Sequence, residues 1–165
     1  MSSDRIYVSL LGRSAWALLN TYYAVAREVH YFPDTVYIAV EAPYQNKTDQ
    51  VVEGVQAIST HFGFSPEVEC IPVAQGNMVD VYLKVYRPIE ARRTEGSKIA
   101  IDITPGRKST VAGMLLPIKL NDVDHVFYLE IATTDGMAKP YQMIPRQFHQ
   151  LHDFKAEAVR AGNGG

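Results

Sequence analysis

Two short stretches of this chain carry residue types that hold phosphate: Gly12-Arg13-Ser14, and Thr104-Pro105-Gly106-Arg107-Lys108-Ser109-Thr110. Each joins a glycine, which lets backbone come close to a ligand, to cations and to a hydroxyl at what reads as a helix start. Exposed N–H groups and the positive end of a helix dipole add to the attraction, so both corners suit an anion. Gly-plus-cation turns are also common on surfaces, and a serine at a helix start also serves as a plain cap. Only the pair, brought to one edge of one sheet, points to a phosphate-bearing ligand.

The two common nucleotide motifs are missing. The first corner has a single glycine where a dinucleotide fold shows G-x-G-x-x-G. A Walker A loop needs glycine directly before its lysine and another five positions earlier, whereas here Arg107 precedes Lys108 and Asp102 takes the earlier place. No G-x-S-x-G elbow exists for a serine hydrolase, and Cys70 has no histidine motif around it and reads as a buried, inert thiol. His149 and His152 have a spacing that shares a metal on a helix, but no third ligand stands nearby and they read as surface histidines, so no metal and no cofactor is expected. Trp16 and the Tyr22-Tyr23 pair read as packing of the first helix onto a sheet.

The elements that must position the two corners follow from hydrophobic patterning. Five strand-length apolar segments, Arg5–Leu11, Thr35–Val40, Glu67–Val73, Lys98–Ile103 and His125–Ile131, are rich in β-branched and aromatic residues. Between them, Ser14–Tyr31, Lys47–Phe62, Asn77–Arg92 and Lys108–Leu120 carry apolar residues at helical spacing. Alternation of strand and helix predicts a Rossmann-like, doubly wound α/β domain, its sheet mainly parallel with helices on both faces. Ligands of such sheets bind beyond the carboxyl ends of the strands. The candidate loops are those after the first four strands, including Gln75 and Asn77 after the third. After Ile131 the pattern weakens. It predicts a short strand near Tyr141–Ile144 and a last helix from Gln147 onward, limited by Pro140 and Pro145.

At 165 residues, 47% hydrophobic and 21% charged, the chain has the balance of one ordinary globular domain. A formal net charge of -2 gives no basic field for long nucleic acid, so a polyanion must be held locally. One cysteine excludes an internal disulfide framework. No apolar run approaches the ~20 residues of a membrane span, and the start lacks a signal-peptide pattern, so a cytoplasmic protein is expected.

The stretch "IAIDITPGRKSTVAGMLLP" resembles a segment of the CRISPR-associated Rossmann-like fold (CARF) domains. There, a strand ending in Asp and a hydroxyl residue leads into a Gly-x-Lys turn and an apolar helix. The matching residues are Asp102, Thr104, Gly106, Lys108 and Ser109, followed by Thr110–Leu116. Val8–Asn20 resembles the family's first loop and His125–Glu130 its fifth strand, and the likeness covers roughly residues 4–150. Pro105 departs from it, standing where many members carry a second glycine.

The resemblance implies a sensor of cyclic oligoadenylates, the second messengers of type III CRISPR systems, bound across a two-fold homodimer with cyclic tetra-adenylate as the first candidate. Residues 1–150 would form the ligand-binding domain and residues 151–165 a helix or tail linking to an effector that this chain does not show. Expected binding residues are Gly12, Arg13, Ser14 and Ala15, then Gln75 and Asn77, then Thr104, Pro105, Gly106, Arg107, Lys108, Ser109 and Thr110. A stand-alone protein that sequesters the ring, or a metal-independent ring nuclease, fits the same resemblance. In the nuclease the ligand's own 2′-hydroxyl attacks the neighbouring phosphate and displaces its 5′-oxygen, which takes up a proton, leaving a 2′,3′-cyclic phosphate, with Lys108 stabilising charge and Ser14 positioning the ligand. Lys108 suits simple phosphate binding equally. A small α/β nucleotide- or protein-binding module without a defence role stays open beside it.

Overall fold

The computed structural model describes residues 3–119 and 121–164. Leu120, expected to end the fourth helix, lies outside the described residues, as do Met1, Ser2 and Gly165. Five strands run parallel: β1 (Arg5–Leu11), β2 (Thr35–Glu41), β3 (Glu67–Val73), β4 (Lys98–Asp102) and β5 (His125–Ile131). A sixth, β6 (His149–Asp153), pairs antiparallel with β5, and the sheet order is β3-β2-β1-β4-β5-β6.

Every β1 residue after Arg5 is buried, which is why the strand reads as continuously apolar and not as alternating. Alternate side chains serve opposite faces. On one face Tyr7 and Leu11 join Leu18 and Tyr22 of helix α1 (Ala15–Ala24) and Val51 and Val55 of α2 (Thr48–His61). On the other, Ile6, Val8 and Leu10 pack with Val81 of α3 (Met78–Val81), Val85, Ile89 of α4 (Arg87–Thr94) and Met114 of α5 (Lys108–Leu115). Helices thus cover both faces of a Rossmann-like α/β sheet. The first and third helical stretches each contain a π-helical turn, Val25–Val29 and Tyr82–Tyr86.

The C-terminal part corrects two expectations. Tyr141–Met143 is a single 3₁₀ turn and not a strand, because Pro140 and Pro145 supply no N–H to a ladder. The helix expected from Gln147 begins only at Phe154, as α6 (Phe154–Gly162), because His149–Asp153 is taken by β6. Asp153 makes this join. Its carboxylate accepts from the Val126 N–H at 3.2 Å and the Ala156 N–H at 3.4 Å, and meets His125 Nδ1 at 2.8 Å, tying β5, β6 and the start of α6 together. On a strand, residues three apart point to opposite faces. His149 is therefore buried, against the expectation of a surface residue, while His152 lies between Glu130 and Glu157.

One backbone contact sets the upper edge of the sheet. A Cβ on Gly12 would stand 2.6 Å from the Gly106 nitrogen, and one on Gly106 would stand 2.8 Å from Leu10 Cδ1. Gly106 also has φ +93°, a conformation that L side chains rarely adopt. Gly12→Ala is expected to destabilise the fold by roughly 1–3 kcal/mol, because backbone must move to admit the methyl group. Chemical denaturation measures this, and an unchanged midpoint would mean the two loops are not in contact.

Candidate functional site

Strand order reverses between β1 and β4, since the chain steps from β1 to β2 on one side and from β4 to β5 on the other. A crevice opens at such a reversal beyond the strands' carboxyl ends. The Gly12 loop and the Gly106 loop form its two walls, and the N-termini of α1 and α5 both begin there.

Ser14 is the residue before α1, in extended backbone (φ −109°, ψ 120°), and Ala15 is buried behind it. Arg13 is exposed, and its carbonyl accepts a hydrogen bond from Lys47 Nζ. In the second wall Arg107, and not Ser109, stands at the cap position of α5. Gly106, Arg107 and Lys108 are exposed, Ser109 is half-buried and Pro105 is buried. Ser109 Oγ lies 4.0 Å from the point where a Gly76 Cβ would be, so the loop after β3 adjoins this wall. Gln75 is exposed there, while the Asn77 side chain caps α3 by accepting from the N–H groups of Val79 and Asp80 at 3.0 and 3.1 Å.

Two hydroxyls expected to meet a ligand have work inside the fold. Thr110 is buried, and its Oγ1 donates to Glu41 Oε1 at 2.7 Å. Thr104 Oγ1 accepts from the Leu129 N–H at 2.9 Å, fastening the fourth loop to β5. Beside it a small cavity of about 130 Å³ is lined by Ser14 and Ala17 of the first wall and by Thr104, Leu129 and Ile131.

The segment after β2 contributes residues that motif reading missed. Glu41 ends β2 with only 3% of its side chain exposed, and its Oε2 stands 3.0 Å from Arg107 Nε. Two cations stand near the Tyr44 ring, with Lys47 Nζ 5.9 Å and the Arg107 guanidinium carbon 5.8 Å from its centre. This 3₁₀ segment, Ala42–Lys47, thus touches both walls. A buried carboxylate at a strand's end, followed by an aromatic and a lysine, is a faint signal that only the fold makes legible.

Asp102 lies under the crevice, fully buried at the end of β4. Its Oδ2 accepts from the Ser9 hydroxyl at 2.9 Å and its Oδ1 from the Thr104 N–H at 2.9 Å. Burial pushes its carboxyl up to about 7, against the hydrogen bonds from Thr104 and Ser9 that favour the ionised form. The same burial, with Asp102 beside it, raises the Tyr7 hydroxyl well above its ordinary value.

A groove of about 540 Å³ lies elsewhere, between α1, α2 and the 140–142 turn. Its walls include Trp16, Leu19, Ala57 and Ile58 with Glu53 and His61, and hold no lysine or arginine among the described residues, so it lacks the fixed positive charge of the two loops. Among the described residues no group of three metal-ligating side chains is placed to share an ion, and no helix is long and apolar enough to cross a membrane.

No protein-family model and no curated protein sequence matches the chain. Solved structures share its fold. A type III CRISPR defence DNA nuclease activated by cyclic oligoadenylate aligns over 80% of this chain with 17% identity and a TM-score of 0.56. Csm6 of Enterococcus italicus, bound to cyclic hexa-2′-fluoro-hexa-dAMP, aligns over 98% with 17% identity and a TM-score of 0.59. Protein VC1899 of Vibrio cholerae aligns over 75% with 10% identity and a TM-score of 0.55. The chain spans only 19%, 46% and 30% of those three proteins, respectively.

Asp102 makes a pH-dependent prediction. Its folded pKa lies above the ordinary carboxylate value, so the folded state binds the extra proton and stability falls as pH rises from about 4 to about 7. Asp102→Asn removes that cost. Its stability relative to the parent is expected to improve by up to about 1.36 kcal/mol per pH unit across this window and to level off above it. Denaturation midpoints at several pH values check this, and a pH-independent difference would contradict it.

Proposed function

We propose, from a CARF-like fold whose two anion-suited loops meet at the strand-order reversal, that this chain binds a cyclic oligoadenylate. The observation that carries the reading is that meeting: Gly12-Arg13-Ser14 and Gly106-Arg107-Lys108-Ser109, far apart in sequence, are brought into backbone contact where the strand order reverses. Arg13, Arg107 and Lys108, all exposed, supply charge for phosphates, and Ser14 and Ser109 supply hydroxyls. The small cavity between Ser14, Ala17, Leu129 and Ile131 suits the flat, apolar part of a nucleoside beside them. Two of the similar structures are a nuclease activated by cyclic oligoadenylate and a Csm6 bound to a cyclic hexa-adenylate analogue, which supports the same ligand class here.

One crevice holds only part of a ring, so the reading includes a two-fold homodimer that completes it. Exposed Met78, Val79, Leu83 and Leu116 support a self-association face, since the first three lie on helical turns packed against α5 and Leu116 directly follows that helix. The chain's small share of its longer relatives supports the role of a sensor domain attached to an effector.

Thermal unfolding with cyclic tetra-adenylate, cyclic hexa-adenylate, linear oligoadenylate and ATP tests the ligand class. One of the two rings is expected to raise the melting temperature well above the effect of the linear and mononucleotide controls. Equal shifts with ATP would favour an ordinary nucleotide-binding module. Arg13→Ala or Lys108→Ala is expected to weaken ring binding more than tenfold, since each charge-assisted contact contributes about 1.5–3 kcal/mol and is lost twice in a two-fold site. Unchanged affinity in both variants, measured by calorimetry, would move the site elsewhere.

A further inference from the structure

The role of Glu41 is not that of a ligand contact, because its carboxylate is an anion in an anion site. It sits behind the crevice wall, 3% exposed, and gathers groups from two other loops. Oε1 accepts from the Thr110 hydroxyl at 2.7 Å and the Gly76 N–H at 3.3 Å. Oε2 has Arg107 Nε at 3.0 Å but lies off the line of its N–H, so attraction of charge alone joins them. A buried carboxylate whose counter-charge departs is left uncompensated, at a cost that strongly opposes departure. Arg107 therefore cannot leave Glu41 in order to meet a ligand. It has to serve both.

The geometry allows this. The contact is at Nε, the root of the guanidinium fork, while 45% of the Arg107 side chain stays exposed and the Tyr44 ring centre lies 5.8 Å from the guanidinium carbon. A planar fork attracted at its root by a buried carboxylate and flanked by the Tyr44 ring has fewer orientations open to it, and a restrained fork loses less freedom when it binds phosphate. We propose that Glu41 is the positioning residue of this site: it holds Arg107 over the crevice so that the guanidinium meets a ligand phosphate already oriented. The inference rests on the ring-binding reading above.

A double-mutant cycle tests it, with calorimetric affinities for cyclic tetra-adenylate and cyclic hexa-adenylate measured on the full chain, Glu41→Gln, Arg107→Ala and the double variant. With Arg107 present, Glu41→Gln is expected to weaken ring binding at least tenfold. With alanine at position 107 the same change is expected to alter affinity less than twofold. Three results would overturn the proposal. Tighter binding by Glu41→Gln would make the carboxylate only a competing negative charge. An equal loss in both backgrounds would make it a scaffold for Thr110 and Gly76 that does not act through Arg107. No loss in either would give it no part in binding. If Glu41→Gln does not fold, Glu41→Asp, which keeps the charge but shortens the reach, carries the cycle under the same criteria. Failure of the parent protein to bind either ring overturns the ring-binding reading and this inference with it. Ring binding without coupling overturns this inference alone.

Discussion

The site depends on the approach of two backbones where the sheet reverses its winding. Gly12 comes so close to the Gly106 backbone that position 12 has no room for a Cβ, while a Cβ at position 106 would meet Leu10, and that closeness brings the loop after β1 against the loop after β4. Parallel pairing of β1 with β4 in the centre of the sheet supplies the register, with Ile6 opposite Ile99 and Val8 opposite Ile101. The helices that follow these strands must start at the same edge, so their N-terminal N–H groups and the cations Arg13, Arg107 and Lys108 share one crevice. Remove the close approach and the two loops become separate surface turns, each with an ordinary structural role.

Around that contact the charge is arranged in layers. Exposed cations face outward, and beneath them lie two buried carboxylates, Glu41 and Asp102, at the ends of β2 and β4. They are handled differently. Glu41 has Arg107 as a counter-charge, whereas Asp102 receives neutral donors only, from Ser9 and Thr104, and burial drives its carboxyl up to about 7. Fixed charge on the outer layer and a proton-dependent charge below it give the crevice an electrostatic floor that shifts near neutral pH. The segment Ala42–Lys47 completes the frame through Tyr44 and Lys47, which touch both walls.

Much of the frame is legible in the residues. The five parallel strands stand out because each is short, largely apolar and rich in β-branched or aromatic side chains, so β1, β3 and β5 fall at the expected boundaries. The glycine-and-cation corners are legible only as a pair, since each alone is an ordinary surface turn and the strand-helix alternation puts both at one edge of the sheet. Glu41 is not, since an acid at a strand's end has no local signature and gains meaning only when Thr110, Gly76 and Arg107 arrive from elsewhere. The family resemblance implies Thr110 as a ligand contact, yet its hydroxyl faces inward to that carboxylate. The stretch His149–Asp153 reads as helix because its histidines and hydrophobes suit either period. Pairing with β5 and the Asp153 hydrogen bonds decide for a strand. Long-range pairing, and not local preference, is what sequence patterning leaves out.

The central claim is that one ring is held between two identical crevices. Its most direct test is the binding stoichiometry of the full chain with a cyclic oligoadenylate, by calorimetric titration and sedimentation on the same sample. The account predicts one ring per two chains in a particle of dimer mass. One ring per single chain, or a particle that remains monomeric at saturation, would contradict it.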